Sequence, residues 1–186
     1  MRISKTQAKE NRDRVVAAAA ELFRERGFDD VAVGDVMKAA GFTHGGFYNH
    51  FPSKQALAAE ALDNAWAQMA DERARVGPLT ALLPRYLSKA ARRAPGKSCP
   101  AAALAGDVCR QPPEVKAVFA DGLEAMIASV EAGLPEGTDR RERAVGLVVR
   151  MVGALMLSRA VPDGHALADE LLEANLRGAL RETGDV

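Results

Sequence analysis

Aromatic residues are scarce, 5% of 186 residues, and β-branched residues seldom alternate with polar ones, so the chain carries almost no strand signal. Only two cysteines occur, and the start Met1-Arg2-Ile3-Ser4-Lys5-Thr6 runs directly into charged residues. A disulfide-stapled secreted fold and a secretory leader are therefore not expected, and a reduced, cytoplasmic setting is. Long hydrophobic runs are missing too: the longest, Ala144 to Leu157, is interrupted by Arg150 and falls short of the ~20 residues that a membrane span needs. No membrane partner is expected. Nor is there an excess of one charge, with 25 Lys plus Arg against 25 Asp plus Glu; affinity for nucleic acid would have to come from a local face. What is abundant is apolar content, 48% of the chain, enough for a sizeable core without staples.

Ala and Leu recur at spacings of three and four, which predicts an all-α fold. A first helix is expected after Asn11, burying Val15, Ala19, Leu22 and Phe23 and stopping at Gly27. A short helix from about Val33 to Ala40 ends at Gly41, and after Phe42 the N-cap candidate Thr43 opens another that Pro52 ends near Phe51. Ser53 caps a long helix, Lys54 to about Val76. Beyond Gly77-Pro78 the punctuation predicts five more: Leu79 to Arg93 with a kink or break at Pro84, Pro100 to Arg110, Pro113 to Gly133, Thr138 to Val161, and Asp163 to Glu182. This makes nine helices, divided into a three-helix unit, residues 1–53, and a six-helix bundle, residues 54–186.

Two short helices across a tight turn, preceded by a longer one, form a helix-turn-helix arrangement, whose last member enters the major groove. Its charge is modest. Residues 36–59 carry two lysines and no acid, and residues 1–14 carry five basic residues against two acids, but the first 60 residues hold nine basic and eight acidic side chains. Acids such as Glu21, Glu25, Asp29 and Asp30 must turn away from a DNA-facing surface. Within Thr43-His44-Gly45-Gly46-Phe47-Tyr48-Asn49-His50-Phe51, Phe47 and Phe51 should face the core with Val36, which leaves Thr43, His44, Tyr48, Asn49 and His50 outward. Two adjacent glycines cost roughly 1 kcal/mol each in a helix but let the backbone approach a groove or phosphate closely. Lys54 opposes the dipole of its helix, which a nearby DNA phosphate would compensate.

The segments Arg24-Glu25-Arg26-Gly27-Phe28, Asp35-Val36-Met37-Lys38-Ala39-Ala40-Gly41-Phe42 and Phe47-Tyr48-Asn49-His50-Phe51-Pro52-Ser53-Lys54 resemble the N-terminal domain of TetR/AcrR-family transcriptional regulators, over roughly Asn11 to Ala61. The resemblance implies a homodimeric, ligand-responsive repressor of a palindromic operator in double-stranded DNA. It places Thr43, Gly45, Tyr48, His50 and Lys54 at DNA-contacting positions, largely to phosphates, and His44, Gly46 and Asn49 at or beside bases. Ala32 departs from the pattern, standing where a Thr or Ser usually caps the second helix.

In the C-terminal part, the helix that follows Thr138 is apolar on nearly every face in its second half, so it needs cover on two sides. A partner subunit against Val145, Val149, Val152, Leu155 and Met156, joined by Leu171, Leu172 and Leu176 of the last helix, would supply the second cover. A small-molecule effector, expected to be apolar, would occupy a pocket sketched from Trp66, Met69, Tyr86, Leu104, Phe119, Leu123, Met126 and Met151, although ordinary core packing is the favoured reading of any one of them. Cys99 precedes Pro100 at a helix start, where the dipole lowers a thiol pKa, so a redox- or electrophile-sensing repressor is an alternative. A helical adaptor without DNA binding is another. His44, His50 and His165 lack metal spacing, and neither a catalytic motif nor a cofactor site is found, so an enzyme is not expected.

Overall fold

The computed structural model describes residues 4–184; residues 1–3 and 185–186, with which the two expected units begin and end, lie outside the described residues. The described residues form helices and no strand. Helix α1 (Lys5–Arg26) begins well before Asn11 because Ser4 caps it, its Oγ accepting from the Gln7 amide at 3.1 Å. Helix α2 (Val33–Ala39) has no side-chain cap at Ala32, but half of a capping box survives, since the Asp35 carboxylate accepts from the Ala32 amide at 3.2 Å. Gly41, at φ +81°, turns the chain in the left-handed region that favours glycine. The Arg14 guanidinium packs under that turn and donates to the Ala40 carbonyl at 2.8 Å.

The third element differs from expectation: His44–Asn49 is a 3-10 turn, not an α-helix, and Thr43 stands at its N-cap without a side-chain bond. Pro52 prevents propagation, and two glycines give the segment no helix propensity to resist tightening. Helix α3 (Lys54–Val76) starts at the Ser53 cap, whose Oγ accepts from the Ala56 amide at 3.0 Å. The helix expected over Leu79–Arg93 is two, α4 (Leu79–Tyr86) and α5 (Lys89–Arg93), with Ser88 capping the second. A 3-10 turn, Pro95–Lys97, leads to α6 (Pro100–Val108), α7 (Pro113–Ala132), α8 (Arg140–Ala160) and α9 (Ala166–Glu182). Among the described residues there are thus ten helical segments of five or more residues, and not the same nine that the sequence predicts.

Helix α1 packs on α3, α3 on α7, α7 on α8 and α8 on α9. One connected core runs from Val15 and Phe23 through Phe47, Phe51 and Leu57 to Leu104, Leu147 and Leu155. The first half of α3, with Leu57, Ala58, Ala61 and Leu62 buried, therefore serves both the three-helix unit and the bundle. Arginine side chains fasten residues 91–102 to α8 and the residue that follows it. Arg159 of α8 donates to the carbonyls of Ala91 and Ala102 at 2.8 and 3.2 Å and to Ser98 Oγ, while Arg92 donates to those of Ser158 and Val161, both at 2.7 Å.

Candidate nucleic-acid interface and effector cavity

The tight turn and the 3-10 segment present a face whose inside and outside are sharply different. Phe47 and Phe51 are buried, their rings stacked with centroids 5.5 Å apart, and Val36 joins them in the core. On the other side Tyr48 is 72% exposed, its ring edge-on to Phe47, and Thr43, His44, Gly45 and Asn49 are exposed as well. Gly46 and His50 are half-buried. A Cβ placed on Gly45 would meet no atom within 4 Å, and one on Gly46 only the Met37 side chain at 3.6 Å. Nothing inside the protein demands these glycines. Lys54, half-buried, lies 3.5 Å from the Asp29 carbonyl. Of the four acids expected to point elsewhere, Glu21 and Glu25 pack against Gly96, at the other end of α1, whereas the backbone of Asp29 is a neighbour of Lys54. Part of the basic N-terminal charge is also spent inside the unit: Arg12 pairs with Glu60 at 2.5 Å and lies over the Phe51 ring, and Arg14 lies over Phe42.

The residues sketched as one pocket separate. A cavity of about 770 Å³ opens between α3, α4 and the Ala94–Cys99 segment, and of the sketched residues only Met69 and Tyr86 line it. A second, about 410 Å³, lies between α3 and α7 and takes Trp66, Met69 and Met126. Leu104 and Met151 are fully buried core, and Phe119 and Leu123 pack against that core without lining either space. The larger cavity contains residues that the sequence argument missed: Arg24, Gln68 and Arg73. Arg24 is 5% exposed and donates to the Ala20 carbonyl, the Ser98 carbonyl and Gln68 Oε1, at 2.9, 3.2 and 2.8 Å, so the last turn of α1 forms part of the cavity wall. The signal was present: Val16, Ala20 and Arg24, four apart, put a cation on the apolar stripe of α1.

Cys99 also lines this cavity, but the expected lowering of its thiol pKa is wrong. The residue is 3% exposed, and burial pushes the thiol up by more than the Tyr86 hydroxyl, the amides of Ala102 and Ala101 and the Arg159 guanidinium pull it down. The redox alternative loses the activated thiolate on which it rested. Cys109, by contrast, is exposed, its Sγ donating to the Gly106 carbonyl.

Residues 15–61 match the model of bacterial regulatory proteins of the tetR family. Across 45% identity over 58 residues, the N-terminal region resembles the uncharacterized HTH-type transcriptional regulator YdgC of Bacillus subtilis, a match spanning 30% of that relative's length. A whole-length relative decides the matter: the uncharacterized HTH-type transcriptional regulator MT0206 of Mycobacterium tuberculosis is 32% identical over 186 aligned positions, covering 91% of this chain and 93% of that one. The chain belongs to the TetR family. The fold agrees, since a TetR transcriptional regulator from Chloroflexus aurantiacus superposes with a TM-score of 0.78 at 24% identity, over 95% of this chain and 96% of that one. This TetR-family protein is a DNA-binding regulator and not an enzyme, which sets aside the adaptor reading.

The apolar faces of this TetR-family chain need one correction. Val145 (38% exposed), Val149 (65%) and Met156 (37%) form an outer stripe on α8 with the half-buried Val152, and Leu157 lies exposed beside them. Leu155 and Leu172, placed on the same outer face from sequence, are instead 0% and 2% exposed and belong to the chain's own core. Leu171 and Leu176 are half-buried, and Leu167, at 42%, is the exposed leucine of α9. Among the described residues no three His, Cys, Asp or Glu side chains are placed to hold a metal ion, and no helix is long and apolar enough to cross a membrane.

Proposed function

We propose that this TetR-family protein is a homodimeric repressor that reads a palindromic operator through Thr43, His44, Gly45, Gly46, Tyr48, Asn49, His50 and Lys54 and is released when a small molecule occupies the larger cavity. The observation that carries the reading is the outward presentation of Tyr48, Asn49, His44 and two sterically unneeded glycines on the segment after the tight turn. Tyr48, Lys54 and the amides around Gly45 engage phosphates, while His44 and Asn49 reach base edges. The α8 stripe of Val145, Val149, Val152 and Met156 supports a two-fold partner, because such an apolar strip is better covered than left in water. Two copies set the recognition segments about 34–36 Å apart, one turn of B-DNA. A ligand that shifts α3 changes this separation and so dissociates the complex.

The test is footprinting of the purified protein on the DNA upstream of its own gene, followed by gel shifts with Tyr48→Ala and Asn49→Ala. Tyr48→Ala should weaken operator and non-operator binding alike, and Asn49→Ala should change base preference. A protein that stays monomeric and ignores every duplex at low ionic strength refutes the reading.

A further inference from the structure

Arg24 is a costly occupant of its position. It stands on the apolar stripe of α1, one turn past Ala20, and is 5% exposed. Among the described residues no carboxylate pairs with it: its N–H groups go to the Ala20 carbonyl in its own helix, to the Ser98 carbonyl at 3.2 Å and to Gln68 Oε1 at 2.8 Å. An apolar side chain would fill the same place without desolvating a charge, and such replacements are often neutral or stabilising. Stability alone does not call for this arginine.

What it does is tie two bodies together. Gln68 lies in α3 beyond the half that the N-terminal unit shares, and Ser98 follows the Pro95–Lys97 turn, whose buried Gly96 rests on Glu21 and Glu25 of α1. Arg24, Gln68 and Ser98 all line the larger cavity, so one patch of its wall is also the junction between the unit and the bundle. A second tie on α1 has a different make-up. Arg12 meets Glu60, in the shared half of α3, through two bonds of 2.5 Å each and lies over the Phe51 ring; neither residue lines either cavity. The bidentate carboxylate pair is the stronger of the two, and the Arg24–Gln68 contact is a single bond to a neutral amide. Gln68 is itself exposed, its amide donating to Asn64 at 2.7 Å. A molecule lying along this wall therefore meets the weaker tie and not the stronger one.

We propose that Arg24 is the positioning residue through which occupancy of the larger cavity reaches the DNA-binding unit: an occupant breaks the Arg24–Gln68 bond, and the unit, kept whole by Arg12–Glu60, tilts away from the bundle. The tilt changes the distance between the two recognition segments of a dimer and leaves each segment intact. This rests on the reading of the cavity as the effector site and adds the contact that transmits its state.

The test places a known occupant in the cavity. In a chain with Cys109→Ser, the half-buried lining residue Leu82 is changed, Leu82→Cys, and labelled with benzyl methanethiosulfonate, which leaves a benzylthio group on the new thiol and releases methanesulfinate. Mass spectrometry checks that one group is added and that buried Cys99 is untouched. Anisotropy titrations then use the palindromic operator and a duplex with a single half-site. Labelling should weaken operator binding at least roughly tenfold and leave half-site binding unchanged. Arg24→Met and Gln68→Leu should each weaken operator binding at least about fivefold without label, again sparing the half-site, and labelling should then add less than about twofold, because the tie is already broken. Gln68→Leu, at an exposed position, decides alone if Arg24→Met fails to fold. Operator affinity untouched by these substitutions, a full labelling effect that survives them, or equal loss on operator and half-site together with a lowered melting midpoint overturns the proposal. Labelling that leaves operator binding intact, while the substitutions still weaken it, refutes release through the cavity and upholds Arg24 as the tie that sets the unit's position.

Discussion

Substituting Gly45→Ala should make the protein more stable and worse at binding DNA. The Cβ meets nothing within 4 Å, and Gly45 does not have a positive φ, so the folded state accommodates alanine without strain. Removing a glycine from the unfolded ensemble then stabilises the native state by about 0.4–1 kcal/mol. At about 2–4 °C per kcal/mol for a chain of this size, the melting midpoint should rise by roughly 1–4 °C. In the proposed DNA complex the same methyl group would stand where the backbone meets a phosphate. Losing a hydrogen bond to a charged partner costs about 1.5–3 kcal/mol, or roughly tenfold or more in affinity for each recognition segment. Thermal melts by circular dichroism and fluorescence anisotropy with a footprinted fragment at fixed salt measure both quantities on one sample. Unchanged affinity in a variant that melts higher would remove the close-approach argument, and a lower midpoint would mean that the segment is packed differently.

Lys54→Ala should weaken binding to all duplexes similarly and reduce the slope of log affinity against log salt by about one for each recognition segment, or about two for a dimer, read from anisotropy titrations across salt concentrations. Val149→Glu, on the exposed α8 stripe, should yield monomers in analytical ultracentrifugation, whereas Leu147→Ala, fully buried, should cost about 2–5 kcal/mol of stability. Under native conditions Ellman's reagent should label Cys109 promptly and Cys99 only on unfolding, since one thiol is exposed and the other buried. Because burial raises the folded-state pKa of Cys99, the folded chain holds that proton longer than the unfolded one. Stability should be insensitive to this thiol below about pH 8.5 and fall as pH rises above it; in Cys99→Ala the alkaline loss should be smaller, as judged by melting midpoints.

Punctuation in the sequence located the elements well where it acted locally. Gly27, Gly41, Pro52, Ser53 and Gly77 end or begin helices as their chemistry requires, and α3 spans the predicted residues. Local signals could not decide whether Gly45 and Gly46 continue in an α-helix or tighten into a 3-10 turn, because that balance depends on packing around Phe47. Periodicity also cannot distinguish two apolar faces of one helix. Leu155 and Val149 look alike in an all-apolar stretch, and only the placement of α7 and α9 puts the first inside and leaves the second out. Cys99 misled for a similar reason: a helix start lowers a thiol pKa, but how deeply that start is buried is a tertiary property. The cavity was the least legible part, since Arg24 of α1 meets Gln68 of α3 only through the tertiary fold, and a pocket drawn from apolar and aromatic residues alone overlooked its cations.

The shared first half of α3 has a practical consequence for dissecting this molecule. A fragment stopped at residue 53 would strip Phe47, Phe51 and Val15 of the wall that Leu57, Ala58, Ala61 and Leu62 provide. The N-terminal unit is therefore no detachable cassette: any graft or minimal fragment has to carry the opening turns of α3 as its own third side.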